Sequence, residues 1–271
     1  MPDGELHLER GMCSLSTVVF ARVSKELLVT ERFAGRRVAV IGAAGGIGAF
    51  ICESLHRQGA TVYALDVRVP AGLDPAVLPF QVDVSSEESV AAMVAELYAI
   101  GDGPIELVNS AGVVENDVAA DEMPMAEYDR VMGINLRGVF LACRDFGREL
   151  LERGGGAIVN VASMSGNHVV NYPQKQSVYN TSKAGVAALT RSLAVEWGAR
   201  GVRVNCVSPG YVDTPLNALK RHLHEGWIEG TVLGRFATLA EVSGAVEYLL
   251  SDEAAYCCGT ELLIDGGSSL R

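Results

Sequence analysis

The chain has 271 residues, of which 49% are hydrophobic and 20% charged, and its formal net charge is −11 at pH 7. Proteins that bind nucleic acid normally present a basic face, so this acidic balance argues against a nucleic-acid partner. No apolar run reaches the length of a membrane span. The moderately apolar residues 12–23 follow Asp3, Glu5 and Glu9, a flank that does not suit a signal peptide. We therefore expect a cytoplasmic protein with no membrane partner.

Residues 1–35 precede the first convincing strand and contain a possible short helix around 16–29. Two interpretations of this N-terminal extension remain open. It is either an arm that packs on a neighbouring subunit or a frayed tail. Its apolar side chains, such as Phe20 and Leu27, would be unfavourable in solvent and favour the arm.

From Arg37 onward, short apolar segments alternate with amphipathic helical segments. The predicted strands are residues 37–41, 61–65, 80–82, 106–109, 157–161, 203–207 and 261–264. The predicted helices lie near residues 46–58, 86–100, 126–153, 177–199 and 239–250. Apolar strands that alternate with helices indicate a parallel sheet covered on both faces. We predict an α/β fold, a doubly wound parallel sheet of seven strands, in one domain over residues 36–271.

A glycine loop, residues 42–48, follows the first predicted strand and leads into a helix. Its glycines have the spacing G-x-x-x-G-x-G, with a further glycine at position 45. Small residues allow the backbone to approach a pyrophosphate, and the start of the helix supplies N–H groups and the positive end of its dipole. The loop therefore predicts a dinucleotide site.

Asp66 ends the second predicted strand. A carboxylate at this position accepts hydrogen bonds from an adenosine ribose and repels a 2′-phosphate. The glycine loop itself has no Arg or Lys. These features favour NAD over NADP, although the nearby Arg68 would tolerate a phosphate.

Tyr179 and Lys183 are four residues apart, on one face of a predicted helix. A phenol is a poor base at neutral pH, and lowering its pKa by about three units requires roughly 4 kcal/mol. One cation about 4 Å away supplies roughly that free energy at an effective dielectric constant near 20. We interpret the pair as a general acid and base for a hydroxyl proton.

Taken in chain order, the motifs resemble those of the short-chain dehydrogenase/reductase family over residues 36–271. The motifs that carry the resemblance are the glycine loop, Asp83, Asn109-Ser110-Ala111-Gly112, Asn135, Ser163, Tyr179-x-x-x-Lys183, and Pro209-Gly210 followed by Thr214. The resemblance implies a Rossmann-type fold and reversible hydride transfer between NAD and a secondary alcohol or ketone.

The family's catalytic roles carry over to four matching residues. Tyr179 would be the general acid/base, and Lys183 would lower its pKa and bind the nicotinamide ribose. Ser163 would hold the substrate oxygen, and Asn135 would hold a water in a proton relay. The resemblance also implies cofactor contacts along the chain, at Gly42, Gly46, Ile47, Gly48, Asp66, Asp83, Val84, Asn109, Ala111, Gly112, Tyr179, Lys183, Pro209, Gly210, Val212 and Thr214.

The sequence departs from the family pattern in three places. Ile41 replaces a usual Thr, and Ser110 replaces a usual Asn; neither change touches the chemistry. The interval from Ser163 to Tyr179 is sixteen residues, longer than in the commonest pattern. A similar longer segment occurs in family members that oxidise sugar alcohols. A substrate loop at residues 167–174 would then offer His168, Asn171 and Gln174 to a polyhydroxylated substrate.

Residues 214–236 would form a lid over the substrate, with Asn217, His222, His224 and Trp227 as possible contacts. We expect no metal, because no carboxylate or cysteine cluster accompanies His222-x-His224. The resemblance further implies a homotetramer.

Two other functions remain open. One is a 3-oxoacyl-thioester reductase, against which Asp66 and the net charge of −11 count. The other is a catalytically silent NAD-binding interaction protein, which the presence of all four catalytic residues disfavours.

Overall fold

A computed structural model describes residues 31–70, 72–218 and 220–271 of the chain. The proposed arm or tail therefore lies almost entirely outside the described residues. Phe33, just before the predicted start of the domain, is fully buried and packs with the core.

The described residues form one parallel sheet of seven strands in the order β3-β2-β1-β4-β5-β6-β7. The strands are β1 (Arg37–Ile41), β2 (Thr61–Asp66), β3 (Leu78–Gln81), β4 (Ile105–Asn109), β5 (Gly156–Val161), β6 (Val202–Pro209) and β7 (Glu261–Ile264). The predicted doubly wound α/β fold is confirmed. The largest shift is in β3, which begins two residues before its predicted start. As an edge strand it has mostly exposed residues, so its apolar pattern is weak.

Nine α-helices connect and cover the strands in the described part of the chain. They are α1 (Gly46–Arg57), α2 (Glu87–Ala99), α3 (Met125–Met132), α4 (Val139–Glu152), α5 (Met164–Asn167), α6 (Ser177–Trp197), α7 (Pro215–Ala218), α8 (His224–Glu229) and α9 (Leu239–Leu250). A π-helical segment, Gly133–Gly138, joins α3 to α4, where the sequence predicted one continuous helix. Within the described residues, no helix is long and apolar enough to cross a membrane.

The core has two layers, one on each face of the sheet. Helices α2, α4 and α6 bury residues such as Leu97, Phe146 and Val186 against one face. Helices α1 and α9 bury residues such as Leu55 and Leu249 against the other. Removing this apolar surface from water is the main stabilising contribution to the fold.

Helices α2 and α9 have N-terminal side-chain caps that the sequence explains, whereas the predicted catalytic helix α6 has none. Ser86 caps α2, and Thr238 forms a reciprocal capping box with Glu241 at α9. At α6, the N-cap residue Gln176 makes no side-chain capping bond. The N–H groups in the first turn of α6 therefore need acceptors from elsewhere.

Candidate active site

A cleft of about 710 Å³ opens at the carboxyl ends of the strands. It lies where the strand order reverses, between β1 and β4, and Ile41 pairs there with Leu65 on one side and Asn109 on the other. Open α/β sheets bind ligands at such a switch point. The cleft extends from Asp66 and Asp83 at one end to the substrate loop and the lid at the other.

The glycines of the loop differ in how much space surrounds them. Gly42 has φ +88°, and a Cβ there would lie 2.5 Å from the Ala111 nitrogen. A Cβ at Gly48 would collide with the carbonyl of Gly42. Gly45, Gly46 and Ile47 line the cleft together with Gly42, but a Cβ at Gly45 would meet nothing within 4 Å. Gly42 and Gly48 fix the shape of the turn. Gly45 and Gly46 leave room beside the start of α1, where backbone N–H groups have no intrahelical acceptor.

Asp66 lies at the same end of the cleft, and its carboxylate contacts the glycine loop. It accepts hydrogen bonds from the backbone N–H groups of Ala44 at 3.0 Å and Arg68 at 3.1 Å. Arg68 also lines the cleft and is exposed. This end therefore presents a fixed negative charge with one cation nearby.

The predicted adenosine-side residues do not all reach the cleft. Asp83, Val84, Ala111 and Gly112 line it. Asn109 is buried and donates a 2.8 Å hydrogen bond to Asn160, so it joins β4 to β5 below the cleft wall. At the other end of the predicted cofactor set, the cleft is lined by Pro209, Gly210, Val212 and Thr214.

Ser163, Tyr179 and Lys183 come together in the middle of the cleft. Ser163 follows β5, and the other two lie on the first turns of α6. The Lys183 Nζ donates to the Val161 carbonyl at 2.8 Å and lies 5.9 Å from the centre of the Tyr179 ring. The fold thus places a hydroxyl, a phenol and an ammonium at one point.

Asn135 supports this group from beneath. It is fully buried in the π-helical segment and exchanges two 2.8 Å hydrogen bonds with the backbone of Val113, while its amide also donates to Ser182 at 3.0 Å. A Cβ at Gly112 would lie 3.3 Å from the Lys183 Nζ and 3.6 Å from the Asn135 Oδ1. These two polar atoms therefore face the same small space. Single π-helical turns often occur at functional sites.

Burial acts on the pKa values of both members of the pair. Burial raises the pKa of the Tyr179 phenol, the nearby Ser163 hydroxyl lowers it, and the Glu115 carboxylate raises it again. Burial also lowers the pKa of Lys183 to about 8. Burial therefore favours the neutral form of both side chains.

The substrate loop brings a polar network to the other end of the cleft. The Asn171 amide donates to Ser165 Oγ at 2.6 Å and to Gln176 Oε1 at 3.0 Å, and Ser163 Oγ donates to Ser165 Oγ at 3.2 Å. The Lys220 ammonium donates to Gln174 Oε1 at 3.0 Å. All of these residues line the cleft. Sequence reasoning missed Ser165, Gln176 and Lys220, although the Ser-x-Ser spacing was a usable signal for Ser165.

His168 does not line the cleft, contrary to the sequence-based expectation. Its Nε2 lies 3.2 Å from a Glu261 carboxylate oxygen at the start of β7. Helix α5 ends just before it and turns the ring toward β7, whereas Asn171 and Gln174 come later in the loop and do reach the cleft.

The lid is only partly as expected. Asn217 and Trp227 line the cleft, whereas His222 is exposed and does not. His224 packs between Trp227 and Phe236, and Trp227 stacks on Tyr211 with ring centres 4.5 Å apart. Across residues 31–70, 72–218 and 220–271, no three metal-ligating side chains gather into a group.

Comparisons with known proteins agree with this geometry. The family model described as "Enoyl-(Acyl carrier protein) reductase" matches residues 42–269. A galactitol 2-dehydrogenase (L-tagatose-forming) of Cereibacter sphaeroides is 41% identical over 247 residues, which cover 87% of this chain and 96% of that protein. A D-threitol dehydrogenase of Mycolicibacterium smegmatis is 38% identical, with 89% of this chain and 95% of that protein covered.

Among solved structures, a short-chain type dehydrogenase/reductase from Mycobacterium marinum superimposes with a TM-score of 0.85 at 34% identity, covering 90% of this chain and 99% of that one. Levodione reductase gives a TM-score of 0.82 at 33% identity, with 88% and 99% covered. Sequence and fold thus agree along nearly the whole described chain. The chain belongs to the short-chain dehydrogenase/reductase family and is a nicotinamide-dependent oxidoreductase of secondary alcohols and ketones.

Proposed function

We propose that the protein catalyses the reversible NAD-linked oxidation of one secondary hydroxyl of a sugar alcohol to the corresponding ketose. The observation that carries this proposal is the position of Ser163, Tyr179 and Lys183 between the glycine loop and a polar substrate end. The names of the two relatives above, which act on galactitol and D-threitol, support the polyol class.

NAD fits the residues at the glycine-loop end. The pyrophosphate would lie against Gly45 and Gly46, where side chains are absent, and Asp66 would accept hydrogen bonds from the adenosine ribose. The Asp66 carboxylate would repel a 2′-phosphate. When bound, the nicotinamide ring accepts the hydride of the alcohol or returns it to the ketone.

The protein's own residues move the proton. Ser163 holds the substrate oxygen, and the Tyr179 phenolate takes the hydroxyl proton as the C–H bond breaks and the carbonyl forms. In the reverse direction, the neutral phenol gives this proton to the new alkoxide. Lys183, fixed on the Val161 carbonyl, favours the phenolate as it forms.

The substrate end suits several hydroxyl groups at once. Asn171 has its amide nitrogen occupied and its Oδ1 without a protein partner. Gln174, Gln176 and Lys220 supply further donors and acceptors around it. A site that hydrogen-bonds a substrate hydroxyl discriminates strongly against analogues that lack one.

The test is a comparison of wild type with Tyr179→Phe, using tetritols, pentitols and hexitols with NAD. We expect wild type to oxidise at least one polyol and the variant to lose roughly 10²–10⁴-fold in kcat. The affinity for NAD, measured by fluorescence titration, should stay within a few-fold. Full activity in the variant would contradict the role of Tyr179. Turnover of 3-oxoacyl thioesters with NADPH but of no polyol would instead support the reductase alternative.

We further propose a cytoplasmic homotetramer. Exposed apolar side chains on the long helices, Phe140 on α4 and Val195 on α6, support association through these helices. Light scattering of the purified chain tests the oligomeric state.

A further inference from the structure

Glu115, which the sequence did not single out, is a buried carboxylate beside the catalytic helix. Only 3% of its surface is exposed. Its Oε1 accepts hydrogen bonds from the Val178 N–H at 3.0 Å and the Tyr179 N–H at 3.2 Å, and its Oε2 lies 3.1 Å from the same Tyr179 nitrogen. These are the N–H groups that an N-cap side chain normally satisfies, and Gln176 does not satisfy them.

The segment that carries Glu115 is itself held on several sides. Val113 is bound to Asn135, the Arg130 guanidinium donates to the Val114 carbonyl at 2.8 Å, and Asp117 accepts from the Lys175 N–H at 2.9 Å. Residues 113–117 therefore link the catalytic Asn135 to the start of α6. A carboxylate fixed in this way holds the backbone of Tyr179 in place.

Few charges face the Tyr179 phenol. Lys183 lies one turn along α6, and Lys220 lines the same cleft from the lid. The Glu115 carboxylate, from the segment after β4, contacts the backbone N–H of Tyr179 and not its hydroxyl. Arg130, on α3, is the cation near Glu115, although Glu127 is its main partner. After burial, Glu115 is the group that raises the phenol pKa, as expected for a negative charge beside a forming phenolate.

We propose that Glu115 is a positioning residue for Tyr179. Its carboxylate replaces the missing cap of α6 and holds a negative charge on the backbone N–H of Tyr179, where it disfavours the phenolate of the same residue. The inference rests on the proposed catalytic role of Tyr179. We therefore expect the charge of Glu115 to raise the pH at which alcohol oxidation becomes fast.

Three variants separate charge from position. Glu115→Gln keeps an acceptor oxygen and removes the charge, Glu115→Asp keeps the charge on a shorter side chain, and Asp117→Asn changes an exposed carboxylate at the same helix entrance that does not contact Tyr179. The readout is the pH profile of kcat/KM for alcohol oxidation. A second readout, without cofactor, is the ultraviolet difference titration of the phenolate, with the corresponding Tyr179→Phe protein subtracted.

We expect Glu115→Gln to move the rising limb of the kcat/KM profile to lower pH by about one unit, and the midpoint of the phenolate titration by the same amount. This is the size expected for one carboxylate several ångströms away at an effective dielectric constant near 20. Glu115→Asp should keep both midpoints near the wild-type values, with kcat reduced by misplacement of Tyr179. Asp117→Asn should leave both midpoints unchanged.

Unchanged midpoints in Glu115→Gln, together with an inactive Tyr179→Phe, would overturn the role of Glu115 and leave the proposed function standing. Equal shifts in Glu115→Gln and Asp117→Asn would also overturn it, because the effect would then be one of general surface charge. An active Tyr179→Phe would contradict the proposed function itself.

Discussion

At the glycine-loop end of the cleft, backbone segments pack directly against one another with no room for a side chain at Gly42 or Gly48. The substrate end is instead lined by polar side chains from the substrate loop and the lid. Main-chain geometry is intolerant of added atoms, because a Cβ would meet backbone that cannot move aside. Side chains on a loop can be exchanged while the sheet and α1 stay in place. One scaffold can therefore keep its cofactor chemistry while its substrate changes.

The largest effect should come from Gly42→Ala, compared with Gly45→Ala as the matched control. Gly42 has a positive φ, and its new Cβ would lie 2.5 Å from the Ala111 nitrogen. Gly45 has an extended backbone and open space around it. We expect Gly42→Ala to lower the free energy of unfolding by about 1–3 kcal/mol or more, and Gly45→Ala to change it little. Urea denaturation measures both. Equal losses of unfolding free energy in the two variants would contradict the difference in packing between Gly42 and Gly45.

A smaller effect is expected for Asp66→Asn, which removes the fixed charge at the glycine-loop end and keeps an acceptor for the Ala44 N–H. The ratio of kcat/KM for NADP to that for NAD should rise about 10–100-fold, since each 1.4 kcal/mol of lost repulsion is a factor of ten. Adding Arg68→Ala should reverse part of the gain. Steady-state kinetics with both cofactors checks this, and an unchanged ratio would show that Asp66 does not select the cofactor.

The mildest effect should arise at the substrate end. Asn171→Ala removes the unpaired acceptor Oδ1 together with the hydrogen bonds to Ser165 and Gln176. It should lower kcat/KM for the preferred polyol at least about tenfold, the order expected for one lost hydrogen bond. The dissociation constant of NAD should not change. His168→Ala is the control, because His168 contacts Glu261 outside the cleft and should leave both quantities close to wild type. A larger loss for His168→Ala than for Asn171→Ala would reverse our description of this end.

The substrate-loop result also shows where reasoning from sequence stops. Asn171 and Gln174 were predicted to face the substrate, and both line the cleft. His168 belonged to the same polar segment, but its partner Glu261 is 93 residues away in the chain. Which way a ring turns after α5 depends on the contacts that β7 offers, and local sequence does not contain that information.

Glu115 illustrates the same limit from the other side. Nothing around it in sequence marks it, and the Val178 N–H that it binds lies 63 residues later in the chain. The weak N-cap residue Gln176 was a signal that the first turn of α6 needed an outside acceptor. The identity of that acceptor required the folded chain.

The sequence by itself determined the doubly wound sheet, the glycine loop and the chain order of the catalytic side chains, because these depend on local periodicity, on turns that only glycine permits and on fixed spacing along one helix. The tertiary structure decided the charges and burial around Tyr179, the orientation of His168 and the capping of α6 by Glu115. These depend on burial and on charges brought together from distant parts of the chain, since desolvation and Coulomb interactions act through space and not along the sequence.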